Sequence, residues 1–217
     1  MKALYIHGFN DEDNQILEEL RSSFPELKVT VLNIPILHPE QAVKLIQRKV
    51  KDYDLLIAHE LGGLLSLRIK DIPKIIINIS YSEDIEKIYP TNNKTFPDKN
   101  WYINELKKLE PIDTYKKDSV DYNLYSDSNI YFVFGEKYDL NDNVDRVYSY
   151  KTLEKHKGIN AALDPFVPYS LAYIFDEDGL DIYENIIFVK GMKDKLLSPC
   201  KRGIKAINYV LESINNN

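Results

Sequence analysis

The stretch 54–67, with the sequence DLLIAHELGGLLSL, has the layout of a turn that presents a reactive side chain. An apolar run leads into a short turn, and Gly62 and Gly63 then open a second apolar run. This order predicts a strand, a sharp turn and a helix, the arrangement in which a G-x-S-x-G motif exposes its serine for nucleophilic attack. The apex residue is Glu60, and Ala58 takes the place of the first glycine. A carboxylate therefore stands where this turn normally presents a hydroxyl.

Three other polar stretches also follow apolar runs. They are HGFN (7–10), GEKYDLND (135–142) and KGMKDKL (190–196). In open sheets of parallel strands, ligands bind beyond the carboxyl ends of the strands. We therefore expect these three stretches and the Glu60 turn to lie at one edge of a sheet and to form a site there.

Short apolar runs alternate with segments of helical periodicity, which predicts βαβ units and a mainly parallel sheet. The predicted strands are KALYI (2–6), KVTVLNI (28–34), DLLIA (54–58), KIIINIS (74–80), IYFVF (130–134) and NIIFV (185–189). The predicted helices cover 14–24, 39–53, 62–70, 144–156 and 199–214. We predict one α/β domain over 1–217, with about six strands in the order 2-1-3-4-5-6 and helices on both faces.

Two segments interrupt the alternation. Residues 81–128 are polar and contain Pro90, Pro97 and Pro111, so we predict an irregular, cap-like insertion between strands four and five. Residues 158–183 contain LDPFVPYS and FDEDGLD, and they predict a short helix or a hairpin before the last strand. A cap would be inserted over a site at the first of these two places.

The four strand-end stretches, taken in this order, resemble the α/β-hydrolase superfamily. More narrowly, they resemble the small bacterial esterases of the YqiA type, which begin on an HGF strand and run through a GxSxGG elbow. YIHGF and HELGG carry this likeness here. It covers nearly the whole chain apart from the two irregular segments. The resemblance implies an α/β-hydrolase-like sandwich with esterase-type activity.

The resemblance also assigns positions to the catalytic triad. The family serine falls on Glu60, and the family acid falls one residue before Asp139. The family histidine falls on Met192, with Lys193 and Asp194 beside it. The last of the four histidines in the chain precedes the final strand, so the family base is missing. These positions form a degenerate triad.

The backbone donors of the family survive these changes. The resemblance implies an oxyanion hole made by the amides of Phe9 and Leu61, which do not depend on side-chain identity. His7 and Gly8 belong to the loop that carries the first donor. His59 occupies the place before the nucleophile, where it serves packing and hydrogen bonding. We expect these five residues to line the site.

Serine-type hydrolysis needs a hydroxyl and a base, and both are replaced here. We therefore predict a pseudo-hydrolase with a retained pocket that binds a small molecule or a protein partner. The alternative is an active hydrolase of carboxylic-ester-like substrates. Its site would be rebuilt around Glu60 with Asp139, Lys193 or Asp194.

Glu60 itself has three interpretations. As a nucleophile, like the aspartate of epoxide hydrolases and haloalkane dehalogenases, it would form an ester that persists without a histidine to activate water. Together with Asp139, Asp142 and Asp194 it would offer oxygen ligands to Mg²⁺ or Ca²⁺. As the partner of Lys193 it would form a structural ion pair, which is the interpretation we favour. A catalytic couple of Glu60 and Lys193 stays open. We predict no metal and no cofactor.

Composition restricts the partners and the compartment. The 217 residues, 44% of them hydrophobic, suffice for one substantial core. A net charge of -6 and a pI of about 5.3 argue against a nucleic-acid surface, which needs clustered Lys and Arg. Cys200 is the single cysteine, so no intramolecular disulfide forms, and no apolar run approaches the roughly 20 residues of a membrane span. We expect a cytoplasmic protein that binds neither nucleic acid nor membranes.

Overall fold

Seven strands form the sheet in a computed structural model that describes residues 1–9, 15–90, 95–110, 129–135, 180–183, 185–192 and 201–216. The strands are β1 (Lys2–Ile6), β2 (Lys28–Val31), β3 (Leu55–His59), β4 (Lys74–Ile77), β5 (Ile130–Gly135), β6 (Leu180–Tyr183) and β7 (Ile186–Val189). Their order is β2-β1-β3-β4-β5-β7-β6, and every neighbouring pair is parallel except β6 with β7. All six predicted strands are present in the predicted order, which confirms the α/β fold class.

The central strands are buried on both faces of the sheet. Every residue of β3 and of β5 is buried, as expected for parallel strands that helices cover on both sides. Successive side chains of a strand point to opposite faces. In β1, Leu4 and Ile6 therefore enter one hydrophobic cluster, whereas Ala3 and Tyr5 enter the other.

Six α-helices cover the two faces within the described part of the chain. They are α1 (Gln15–Ser23), α2 (Pro39–Lys49), α3 (Leu61–Ser66), α4 (Ser82–Ile88), α5 (Lys99–Lys107) and α6 (Lys201–Asn215), with a short 3-10 helix at Val50–Asp52. Helices α2 to α5 pack on one face, and α1 and α6 pack on the other. None of these helices is long and apolar enough to cross a membrane.

The expectation of an irregular insertion over 81–128 is wrong for the part that forms α4 and α5. The prolines that we took as breakers bound these helices: Pro90 follows α4, and Pro97 precedes the N-cap of α5. That cap is Asp98, whose carboxylate accepts from the amide of Trp101 at 2.9 Å. The spacing of Tyr102, Ile103 and Leu106 then gives α5 a buried stripe.

A hairpin, one of the two predicted alternatives, forms at the end of the second irregular segment. Strand β6 pairs with β7 in antiparallel register, Leu180 opposite Val189 and Tyr183 opposite Ile186. Residues 158–179 and the predicted helix 144–156 lie outside the described residues. The antiparallel β6 is the one addition to the predicted sheet within the described chain.

Candidate functional site

The predicted elbow is formed at the carboxyl end of β3. Glu60 joins β3 to α3 with φ 47° and ψ -118°. Its amide donates to the carbonyl oxygen of Ile77 at 3.0 Å, and its carbonyl accepts from the amides of Gly63 and Leu64. A non-glycine residue in such a conformation costs about 1–3 kcal/mol, and strain of this kind clusters at functional sites. The chain therefore keeps the strained geometry of a nucleophile elbow without a hydroxyl at its apex.

Two glycines let helix α3 approach the sheet. A Cβ atom on Gly62 would lie 2.6 Å from the carbonyl oxygens of Ile6 and His7, which belong to the end of β1. A Cβ atom on Gly63 would lie 2.6 Å from Cγ2 of Ile76 in β4. Real Cβ atoms essentially never come so close, so a side chain at either position would force its neighbours to move. The elbow is thereby seated directly on the loop that follows β1.

The Glu60 side chain packs against that loop. A Cβ atom on Gly8 would overlap Oε2 of Glu60 and lie 3.1 Å from its Cβ. The Glu60 side chain is 23% exposed, so the carboxylate is partly enclosed between the elbow and the loop. The structure thus brings together the predicted apex residue and the HGF loop (7–9), as the sequence predicts.

Two histidines flank the apex. His59 is nearly buried, and its Nε2 lies 3.9 Å from Oε1 of Glu60. His7 donates from Nδ1 to the carbonyl oxygen of Gly8 at 2.8 Å, which holds the HGF loop in a tight turn. The His7 ring thus holds the backbone of the HGF loop, and the His59 ring lies beside the Glu60 carboxylate.

The amides of Phe9 and Leu61 are the predicted oxyanion donors. Among the backbone hydrogen bonds of the described residues, neither amide donates to a carbonyl. Leu61 is the first residue of α3, a position at which a helix leaves its amides without partners in the helix. The use of these two amides by a ligand oxygen stays a prediction. We call Phe9 N–H and Leu61 N–H the amide pair.

An aromatic cluster that the sequence analysis missed surrounds the Phe9 ring. Its centroid lies 6.0 Å from those of Tyr89 and Phe96 and 6.1 Å from that of Tyr102. The Tyr102 hydroxyl donates to the carbonyl of Ile36 at 2.9 Å. Burial, and then the neighbouring Tyr89, raise the pKa of Tyr102. The signal in the sequence was the periodic stripe of α5, which the nearby prolines obscured.

Tyr102→Phe is expected to lower the free energy of unfolding by about 1 kcal/mol near neutral pH, because it removes one buried hydrogen bond. The raised pKa of Tyr102 in the folded state means that its protonation stabilises the fold below the ordinary pKa of 10.0 and loses this effect above it. The gap between parent and variant should therefore stay constant up to about pH 9 and shrink above about pH 10, as measured by urea unfolding. A gap that is also constant over the higher range would contradict this assignment.

Of the other positions assigned to the triad, only Met192 belongs to the described residues. Asp139, Lys193 and Asp194 lie outside the described residues, so the ion pair of Glu60 with Lys193 stays a prediction. Met192, which the resemblance assigns to the place of the histidine, is 1% exposed and packs in the core on the α1 and α6 face. The backbone turns there through Gly191, which has a φ of 76°. Met192 therefore fills the core.

Metal ligation receives no support from the described residues, in which no three His, Cys, Asp or Glu side chains cluster closely enough to hold an ion. Of the four predicted oxygen ligands, only Glu60 belongs to this part of the chain. The described residues near the apex thus include two backbone amides and one carboxylate, and the aromatic cluster packs around the Phe9 ring.

Comparisons with known proteins bear on the fold. No family model matches the chain, and no curated protein sequence matches it. The esterase domain of a Rhodothermus marinus protein superposes with a TM-score of 0.57 at 11% identity, covering 99% of this chain and 86% of that one. A structure from a study of carboxylesterases of the thaumarchaeon Nitrososphaera gargenis gives 0.53 at 12% identity, covering 99% and 91%. Together with the elbow and the strand order, these likenesses show that the chain has an α/β-hydrolase fold.

Proposed function

We propose that this protein is a pseudo-hydrolase, which keeps a binding site at the carboxyl edge of the sheet and does not hydrolyse esters. The observation that carries the proposal is the placement of Glu60 at the strained apex with its carboxylate packed against Gly8. In a serine elbow the apex hydroxyl attacks the substrate carbonyl while two amides hold the carbonyl oxygen. Here the apex offers no hydroxyl, and its carboxylate fills space beside the HGF loop.

The proton chemistry supports the same conclusion. Serine hydrolases need a base that takes the hydroxyl proton and returns it to the leaving group. The family position for that base holds Met192, which has no titratable group and lies in the core. Restoring the serine alone would therefore leave the site without its proton carrier.

The ligand we assign is a neutral carbonyl compound of the ester or amide class. The amide pair donates hydrogen bonds, so it selects an oxygen acceptor. The nearby Glu60 carboxylate repels anions, since like charges a few ångströms apart interact unfavourably in a partly enclosed site. A neutral carbonyl satisfies both conditions, and a carboxylate satisfies only the first. A protein partner would meet them by presenting a backbone carbonyl.

An NMR titration tests this assignment. Butyramide is expected to shift the amide resonances of Phe9 and Leu61, whereas butyrate, which has the same chain and a charge, is expected to bind more weakly. Glu60→Gln removes the repelling charge and should narrow the difference between the two compounds. If neither compound moves either resonance, the amide pair is not a binding site and the proposal fails.

The alternative, an active hydrolase, has one observation in its favour. His59 lies near the Glu60 carboxylate, which is partly exposed, so this pair has the elements of a general base that activates water. Asp139, Lys193 or Asp194 would have to supply the remaining proton steps. This alternative predicts ester turnover that disappears in Glu60→Ala, whereas the pseudo-hydrolase predicts none.

A further inference from the structure

Residues of α4, α5 and their flanking turns contact the ring of Phe9 and the side chain of Arg68, which follows the elbow helix. We call the described residues 82–90 and 95–110 the α4–α5 brace. We propose that the α4–α5 brace fixes the spacing between Phe9 N–H and Leu61 N–H, with the Phe9 ring and the Arg68 guanidinium as its two positioning groups. This role rests on the proposed use of the amide pair, although the positioning itself can be tested without a ligand.

The first attachment is the Phe9 ring. Phe9 lies in the HGF loop and is half-buried, and its three ring partners all come from the brace. Two of these partners are held in turn. The Tyr89 hydroxyl donates to the carbonyl of Pro97 at 2.8 Å, and the Tyr102 hydroxyl donates to the loop before α2. A displacement of the Phe9 backbone would therefore have to break ring contacts on three sides.

The second attachment is Arg68, two residues beyond the end of α3. Its Nε donates to the carbonyl of Leu109 at 2.8 Å. Its Nη2 donates to the carbonyls of Glu110 at 2.7 Å and Lys108 at 3.3 Å. These carbonyls follow the last turn of α5, where a helix leaves acceptors without partners and favours a cation. The planar fork of arginine can satisfy several of them at once. Arg68 thereby fastens the elbow helix to the brace.

The two ends of the brace are also tied to each other. The Glu110 carboxylate accepts from the amide of Ser82, the first residue of α4, at 2.6 Å. Helices α4 and α5 pack through Tyr89 and Tyr102, whose ring centroids are 5.1 Å apart. The brace is therefore a closed unit with one attachment on the HGF loop and one on the elbow helix. A change at either attachment should be transmitted to the other.

The inference is tested by substituting a residue at one attachment and following the NMR resonance of the amide at the other. Arg68→Met keeps the aliphatic stem and removes the hydrogen bonds, and it is expected to shift the Phe9 amide resonance, which Arg68 does not contact. Tyr89→Leu removes a ring partner of Phe9 and is expected to shift the Leu61 resonance. Tyr89→Phe keeps the ring and should rescue the Leu61 resonance. Arg48→Met and Trp101→Leu are matched controls, because Arg48 is exposed on α2 and Trp101 is 43% exposed on α5.

The inference is overturned if Arg68→Met shifts only the neighbourhood of α3 and leaves Phe9 unchanged. If Tyr89→Leu does not fold, Arg68→Met alone tests the proposed role of the brace. Where the parent binds butyramide, Arg68→Met should weaken that binding about tenfold through the displaced donor. If the parent does not bind butyramide, the proposed function fails while the shifts of the Phe9 and Leu61 resonances still test the brace.

Discussion

Gly62→Ala is expected to lower the free energy of unfolding by about 3 kcal/mol, near the upper end for overpacking a well-packed site. The added Cβ would lie 2.6 Å from two backbone oxygens, those of Ile6 and His7. Backbone at the end of a buried strand cannot rotate away, so α3 or the HGF loop must move. The gain in helix propensity on replacing glycine by alanine, about 1 kcal/mol, offsets only part of this cost. Urea unfolding measures the loss.

Gly63→Ala is the matched control in the same helix. Its added Cβ would meet Cγ2 of Ile76, which is a side-chain atom and not backbone and can move by a rotation about χ1 of that buried residue. We expect a loss of about 1 kcal/mol. Equal losses for the two variants would show that the contact with the end of β1 is not what requires Gly62.

Asn78→Ala is expected to cost about 3 kcal/mol through two separate effects. Asn78 is fully buried and has a φ of 45°, a conformation that asparagine tolerates better than alanine. Its Oδ1 accepts from the buried amide of Gly135 at 3.0 Å, which joins the carboxyl ends of β4 and β5. Alanine brings the backbone strain and leaves that amide without its acceptor.

Asn78→Gly separates the two effects. Glycine adopts the positive φ without strain but still removes the acceptor. We therefore expect it to be less destabilising than Asn78→Ala by about 1 kcal/mol, as measured by the same unfolding experiment. If Asn78→Gly is the more destabilising variant, backbone strain at Asn78 is not a significant part of the cost.

The fold was predictable because most of its strands are short, continuous apolar runs in the sequence. The runs III (75–77) and IYFVF (130–134) are apolar at successive positions, as expected of a strand that helices cover on both faces. The elbow was equally visible, because Gly62 and Gly63 follow a buried strand and permit close approach to it. Strand β6 was left open between a helix and a hairpin, since a four-residue edge strand carries little periodic signal.

The site was predictable only in part. The meeting of the elbow and the HGF loop could be predicted because both follow neighbouring parallel strands. The oxyanion role of the amides of Phe9 and Leu61 stays a prediction. The side-chain contact of Glu60 with Gly8 could not be predicted, nor could the attachment of Phe9 and Arg68 to the α4–α5 brace. These contacts join residues far apart in the sequence. Tyr89 and Tyr102 lie in a polar stretch, and only the packing of α5 shows their rings at Phe9. Tertiary contacts of this kind produce no local pattern in the sequence.

The hydrolysis of p-nitrophenyl acetate and butyrate distinguishes the pseudo-hydrolase from the active hydrolase. Parent, Glu60→Ala and Glu60→Ser should be compared with the rate without protein. The pseudo-hydrolase predicts that all three match that rate, because the apex has no hydroxyl in the parent and no histidine base in the serine variant. Turnover by the parent that Glu60→Ala abolishes would contradict the account and identify Glu60 as a catalytic residue.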